Sequence, residues 1–393
     1  DTSASHGSPL GGDEIRATKE AMGWPADHEF YAPTDVYDFF SEAMNRGRNV
    51  HTAWRERSSA VLAGDDALAE RWNAQFHGRQ GSLEDPGFET GSSMATRSAS
   101  GKLFDQIAEK VPGFSGGAAD LVASTKTTIS TSSSFSAADR TGRNIDFGIR
   151  EQGMAAIVNG LAIHGGLRPY GSTFLVFSDY MKPALRLSAL MDAPSISVFT
   201  HDSIFLGEDG PTHQPIEHIA ALRAVPNLWV IRPADAGETI EAWEMALNRA
   251  EGPSVLVLTR QNVRTLDRPR GHVRKGAYVI RPGTDVTVLA TGSEVETALQ
   301  AADIMESQGI SARVVSMPCW EAFEAQDAGY RSEVLGDGLP VVSVEAGSTF
   351  GWDRYADTTI GIDRFGASAP DTVLAEKFGF DPETIASSVM AIL

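Results

Sequence analysis

Four groups of residues in this 393-residue chain carry side chains whose type and spacing could do chemistry. In GIREQGMAAIVNGLAIHGG, helical spacing puts Glu151 on one face with Met154, Ala155, Val158, Leu161 and Ala162. The carboxylate therefore shares an apolar stripe and is a candidate proton carrier. A salt-bridged glutamate at a helix start, favoured by the macrodipole, fits the same spacing. The stretch THDSIFLGEDGPTHQP packs His201, Asp202, Glu208, Asp209 and His213 among Gly207, Gly210, Pro211 and Pro215. Such turn chemistry holds polar side chains on a loop between firmer elements. The composition resembles a metal site, yet no pair has a helical ligand spacing such as H-E-x-x-H, and a solvated polar loop is the plainer alternative. Arg97 in ATRSAS, Ser124 in DLVASTKT and Arg260 in LTRQN each read singly as surface residues. Together they offer forked donors and a hydroxyl suited to phosphate. Phe174, Phe177 and Tyr180 fall at i, i+3 and i+6. That stripe fits core packing or a wall for a flat heteroaromatic ring, and periodicity does not separate the two.

The elements that must position these groups follow an α/β pattern. Residues 1–92 are polar and helix-like, with Trp24, Trp54 and Trp72, and read as a terminal remnant plus connector without a core of its own. Residues 93–265 alternate apolar strand-like runs (ISVFT, LWVIR, SVLVLTR) with helical stretches. Residues 284–393 repeat the alternation in DVTVLATGS, a helix from Glu294, SARVVSM and PVVSVEAG. Two α/β domains with mostly parallel sheets are expected, joined by a linker at 266–283 marked by Pro269, Gly271, Gly276, Pro282 and Gly283. In such sheets ligands gather where strands end and helices begin.

Composition narrows the partners. Fifty-two acidic against 33 basic side chains give a net charge of −19, which opposes nucleic acid and anionic membrane. An anion site would have to be a local basic pocket. No apolar run reaches the ~18–20 residues that span a bilayer. The single cysteine, Cys319, excludes an intrachain disulfide and suits a reducing cytoplasm.

Taken in order, SHGSPLG, TRSAS, GGAADL, IREQGM, STFLVFSDY, THDSIFLGEDGPTHQP, TRQN, ATGSEV and RVVSMP resemble the transketolase family over almost the whole chain. The resemblance implies a thiamine-diphosphate fold and ketol transfer between sugar phosphates. Glu151 would bond N1′ of the cofactor's aminopyrimidine and favour its imino tautomer. Phe174 would stack on that ring, Phe177 and Tyr180 would complete the pocket, and Asp120 would lie nearby. His6 and His213 would serve proton transfer, with His6 also near the cofactor. Arg97, Ser124 and His201 would hold a substrate phosphate with Arg260 close by, and Asp209 and His213 would contact the sugar. Phe205 stands where a small residue is frequent and is expected to narrow the channel.

The family's diphosphate site needs GDG followed by a distant Asn, around Mg²⁺ or Ca²⁺. Gly336-Asp337-Gly338 has no asparagine after it, the last being Asn262, so that triplet reads as a turn. The diphosphate and metal ligands are therefore expected on an N-terminal component, either a separate subunit in an α2β2 heterotetramer or a segment cleaved from the same chain. Two further readings stay open: a related ketol transferase acting on an unphosphorylated sugar, and a non-catalytic regulatory relative.

Overall fold

Aliphatic and β-branched runs build two five-stranded sheets that are parallel except at one edge. The computed structural model describes residues 3–76 and 82–393 and divides into compact units at 1–70 and 71–393. The first unit holds α1 (Gly12–Ala21), α2 (Thr34–Ala63) and the start of α3 (Asp66–Phe76). None of these helices has a buried residue, and Phe39, Phe40, Met44 and Val50 on α2 are exposed. Folding normally removes such apolar area from water, so these helices have no core of their own.

In the second unit a short ribbon pairs β1 (Ser93–Met94) with a strand near residue 263. Then come α4 (Thr96–Lys110), β2 (Phe114–Ala118), α5 (Val122–Thr125), α6 (Glu151–His164), β3 (Arg168–Phe174) and α7 (Ser178–Leu190). These are followed by β4 (Ile196–Thr200), α8 (His218–Arg223), β5 (Trp229–Ile231), α9 (Ala236–Asn248), β6 (Ser254–Leu258) and β7 (Val263–Arg264), the ribbon's partner strand. The sheet order is β2-β3-β4-β6-β5, all parallel. Every residue of β4 and β6 is buried, as expected for strands covered on both faces. Phe104, Phe114, Tyr170 and Trp243 pack edge and face at 4.7–5.7 Å between α4, α9 and the sheet. The Trp243 indole N–H donates to Ser100 Oγ at 2.8 Å, so its polar end is satisfied as well.

The second sheet contains β8 (Tyr278–Arg281), β9 (Val286–Ala290), β10 (Ala312–Ser316), β11 (Val341–Val344) and β12 (Thr358–Ile360), in the order β12-β11-β9-β10-β8. Its helices include α10 (Glu294–Ser307), α11 (Trp320–Glu324), α12 (Ala328–Leu335), α13 (Asp371–Phe378) and α14 (Pro382–Met390). The 266–283 segment is more than a tether. Val273, Ala277 and Tyr278 are buried, and β8 adds antiparallel to β10. Gly336-Asp337-Gly338 is the turn after α12, with positive φ at both glycines (80° and 76°), a conformation glycine adopts freely. No helix among the described residues is long and apolar enough to cross a membrane.

Candidate active site

The groups singled out in the sequence leave the sheet at the carboxyl ends of neighbouring parallel strands. Asp120 follows β2, Phe174 ends β3, His201 follows β4 and Arg260 follows β6. This is where an open parallel sheet leaves room for a ligand. Asp120 and His201 both have φ of 61°, which for residues with a side chain costs of order 1–3 kcal/mol and is kept where the surroundings impose it.

One cavity of about 480 Å³ is lined by Ala119, Asp120, Leu121, Ile149, Glu151, Phe174, Phe177, Tyr180 and His213. Glu151 is the first residue of α6 and only 9% exposed, on a face with Met154, Ala155, Val158 and Ala162. Asn159 joins that buried face, donating its side-chain N–H to Ala184 O at 2.8 Å, whereas Leu161 is only partly covered. The aromatic stripe is not one helix. Phe174 ends a strand, Phe177 ends a 3₁₀ turn (Leu175–Phe177), and Tyr180 lies in α7. The rings nevertheless stack in series, Phe174 on Phe177 at 5.9 Å and 11°, and Phe177 on Tyr180 at 6.1 Å and 26°. His213 turns its ring edgewise to both phenylalanines, with Nδ1 3.0 Å from Thr212 Oγ1.

Beside this cavity lies a group of cations. Arg97, in the first turn of α4, donates from Nη1 to Ser124 O at 2.8 Å and lies 3.4 Å from His201 Nε2. Its Nε is buried without a partner. Burial, and then the nearby Arg260, hold the Arg97 guanidinium below its ordinary value. Among the described residues neither arginine pairs with a carboxylate, in a chain of net charge −19. A second cavity of about 380 Å³ shares Asp120 and takes in Ser124 with the hydroxyls of Thr128, Ser132 and Ser134.

His201 packs its ring 3.7 Å from that of Phe174 and puts Nδ1 2.8 Å from Thr200 Oγ1. Burial, then the charges of Arg97, Arg260 and His213, push its pKa down from 6.5 to about 3. Neutral, with its proton on Nδ1, the ring presents Nε2 as an acceptor to Arg97. A pH prediction follows with a definite sign. Between pH 6.5 and about 3 the unfolded chain binds a proton here that the folded chain lacks. Stability therefore falls as pH drops through that window, by up to ~1.4 kcal/mol per pH unit from this residue. Urea titrations of wild type and His201→Gln across the window should show the variant losing about that much of the slope; equal slopes would assign the acid sensitivity elsewhere.

The residues of the 201–213 loop are spread over different surroundings. Asp202 is buried against Arg232, while Glu208 and Asp209 are exposed and Asp209 lines neither cavity. Phe205 does not narrow the cavity: its ring meets Phe380 at 6.1 Å in the second layer's core. His6 is exposed in the first unit. Ile149, 78% exposed at the cavity's edge, was missed; an isoleucine directly before Arg150-Glu151 gave no periodic signal.

A parallel-sheet layer with a carboxylate-bearing helix start, an aromatic wall and unneutralised cations at its carboxyl edge defines an α/β ligand-binding protein. Family models place it more closely. The pyrimidine-binding domain of transketolase matches residues 92–265, the transketolase-like C-terminal domain matches 276–381, and the thiamine diphosphate binding domain of transketolase matches 1–80. A transketolase of Halalkalibacterium halodurans is 46% identical over 405 aligned positions, covering 100% of this chain and 61% of that protein. The structure of transketolase from Leishmania mexicana superposes with a TM-score of 0.90 at 41% identity, covering 97% of this chain and 58% of that one. A split-gene transketolase solved as an inactive β4 tetramer gives 0.62 at 28% identity, covering 76% of this chain and 98% of that one. The chain belongs to the thiamine-diphosphate-dependent transketolase family, and it spans about 61% of the length of the curated relatives it matches.

Proposed function

We propose that this chain is the aminopyrimidine- and substrate-binding component of a transketolase, moving a two-carbon ketol unit from a ketose phosphate to an aldose phosphate in the cytoplasm. The observation that carries this reading is Glu151 at the buried start of α6, in one cavity with stacked Phe174 and Phe177. A flat ring with a basic nitrogen fits that pairing of aromatic wall and carboxylate. Glu151 would hold N1′ of the aminopyrimidine, Phe174 and Phe177 would face the ring, and Tyr180 and Asp120 would border it. Thiamine diphosphate, when bound, supplies the electron sink for breaking a carbon–carbon bond beside a carbonyl. His213, half-buried at the cavity, would exchange protons with the sugar's oxygens, and His6 would serve proton transfer as well. Asp209 would reach a sugar hydroxyl. Arg97, Arg260, His201 and Ser124 would bind the substrate phosphate. The unneutralised cations and the orphaned Arg97 Nε favour this phosphorylated substrate over a neutral sugar.

The diphosphate end is different. Among the described residues the group that could hold a metal is Asp179, Glu217 and His218, two carboxylates and a histidine and not the oxygen-rich set that Mg²⁺ or Ca²⁺ would need. We assign those ligands to an N-terminal component, either a separate subunit in an α2β2 heterotetramer or a segment of the same polypeptide. The exposed apolar faces of α1–α3, in the span matched by the diphosphate-binding model, support a covering surface supplied from elsewhere. Mixing the purified chain with thiamine diphosphate, Mg²⁺ and a ketose–aldose phosphate pair should give no ketol transfer. Adding a diphosphate-binding component should restore it, and transfer by this chain alone would refute the division of labour.

A further inference from the structure

Each histidine that faces the site is followed directly by a residue tied to the second sheet layer. After His201 comes Asp202, whose Oδ2 accepts from Arg232 Nε at 3.0 Å and Nη2 at 2.8 Å. Arg232 is fully buried; it also binds Glu294 at the start of α10 and donates to Thr291 O at 3.2 Å. Glu345, just past β11, lies 3.6 Å from Arg232 and takes a forked pair from Arg223 at 2.7 and 3.0 Å. After His213 comes Gln214, 2% exposed, whose Nε2 is shared among Ile204 O, Gly207 O and Ala367 O at 3.1, 3.0 and 2.9 Å. Ser368 Oγ also bonds Glu208 O, and Ser348 N donates to Ile216 O at 2.9 Å. The loop from 201 to 214 is therefore pinned to residues beyond 290, through Arg232 at its start and directly through Ala367 O at its end.

Such an arrangement costs more than stability alone requires. A buried ion network is often no more stabilising than apolar packing of the same volume, whereas it fixes the geometry of its members. His201 also holds a left-handed backbone that persists only where its neighbours impose it. We infer that Asp202 and Gln214 are positioning residues, through which the C-terminal layer aims the His201 and His213 rings at the site. What those rings touch rests on the transketolase reading; that they are aimed does not.

The test uses the full chain labelled with ¹⁵N-histidine. Gln214→Ala should displace the His213 ring resonances, and Asp202→Asn those of His201, while far-ultraviolet circular dichroism stays as in wild type. Gly366→Ala is a second route that touches no site residue. Its methyl would fall 1.7 Å from the present place of Gln214 Oε1, forcing that amide to move, so it should displace His213 in the same sense even if Gln214→Ala does not fold. With the diphosphate-binding component added, Asp202→Asn should raise KM for the phosphorylated donor roughly tenfold, whereas Gln214→Ala and Gly366→Ala should lower kcat roughly tenfold, each about 1.4 kcal/mol. Folded variants whose ring resonances match wild type would overturn the inference. Displaced resonances in a chain that never supports ketol transfer would uphold the positioning and overturn the functional reading instead.

Discussion

Glu151→Gln should lower kcat for ketol transfer by on the order of 10²–10⁴-fold in the reconstituted system, the usual worth of a positioned acid–base group. Glutamine keeps the shape and the hydrogen-bonding reach of the side chain but could not take or give a proton at the aminopyrimidine that Glu151 is proposed to hold. Because Glu151 sits at a helix start with 9% exposure, losing its charge removes a favourable term with the helix dipole and an unfavourable term from burial. Those oppose each other, so the urea midpoint should change little. Steady-state rates and a urea titration on one preparation check both halves. A variant within tenfold of wild type would remove the central residue from the mechanism, whatever the cavity looks like.

The layers were legible because their signals are local. ISVFT, SVLVLTR, DVTVLATGS and PVVSVEAG are apolar runs of strand length, and each became a buried strand. Glu151 was legible too, since helical spacing gives its face directly. The rest depended on contacts between distant segments. Asp202 looks like a member of a metal-like cluster until Arg232, 30 positions on, is brought against it. Phe205 looks like a channel residue until Phe380 offers it an apolar partner in another layer. The 174–180 spacing matched a helix by coincidence: strand end, 3₁₀ turn and helix start place the three rings in series. The 266–283 segment has a linker's glycines and prolines, yet its buried Tyr278 and the open edge of β10 draw it into the sheet.

The cation group yields the other large effect. Arg97→Met removes the one guanidinium that is partly buried, next to His201 and within the field of Arg260. A hydrogen bond to a charged group is worth about 1.5–3 kcal/mol, so KM for a ketose phosphate should rise roughly 10–100-fold. An unphosphorylated ketose should be handled as before, and kcat should hold because Arg97 does not line the Glu151 cavity. Lysine should restore only part of the affinity, since Arg97 already commits Nη1 to Ser124 O at 2.8 Å and needs its fork to reach a second acceptor. The same substitution tests the electrostatics independently of catalysis. Arg97 is the largest charge acting on His201, so His201 in Arg97→Met should titrate well above its present value near 3, visible by NMR in the isolated chain. If KM rises equally for both ketoses, Arg97 contributes to the shape of the site and not to phosphate recognition. If His201 does not move, burial alone holds it neutral and the repulsion among these cations is too weak to matter.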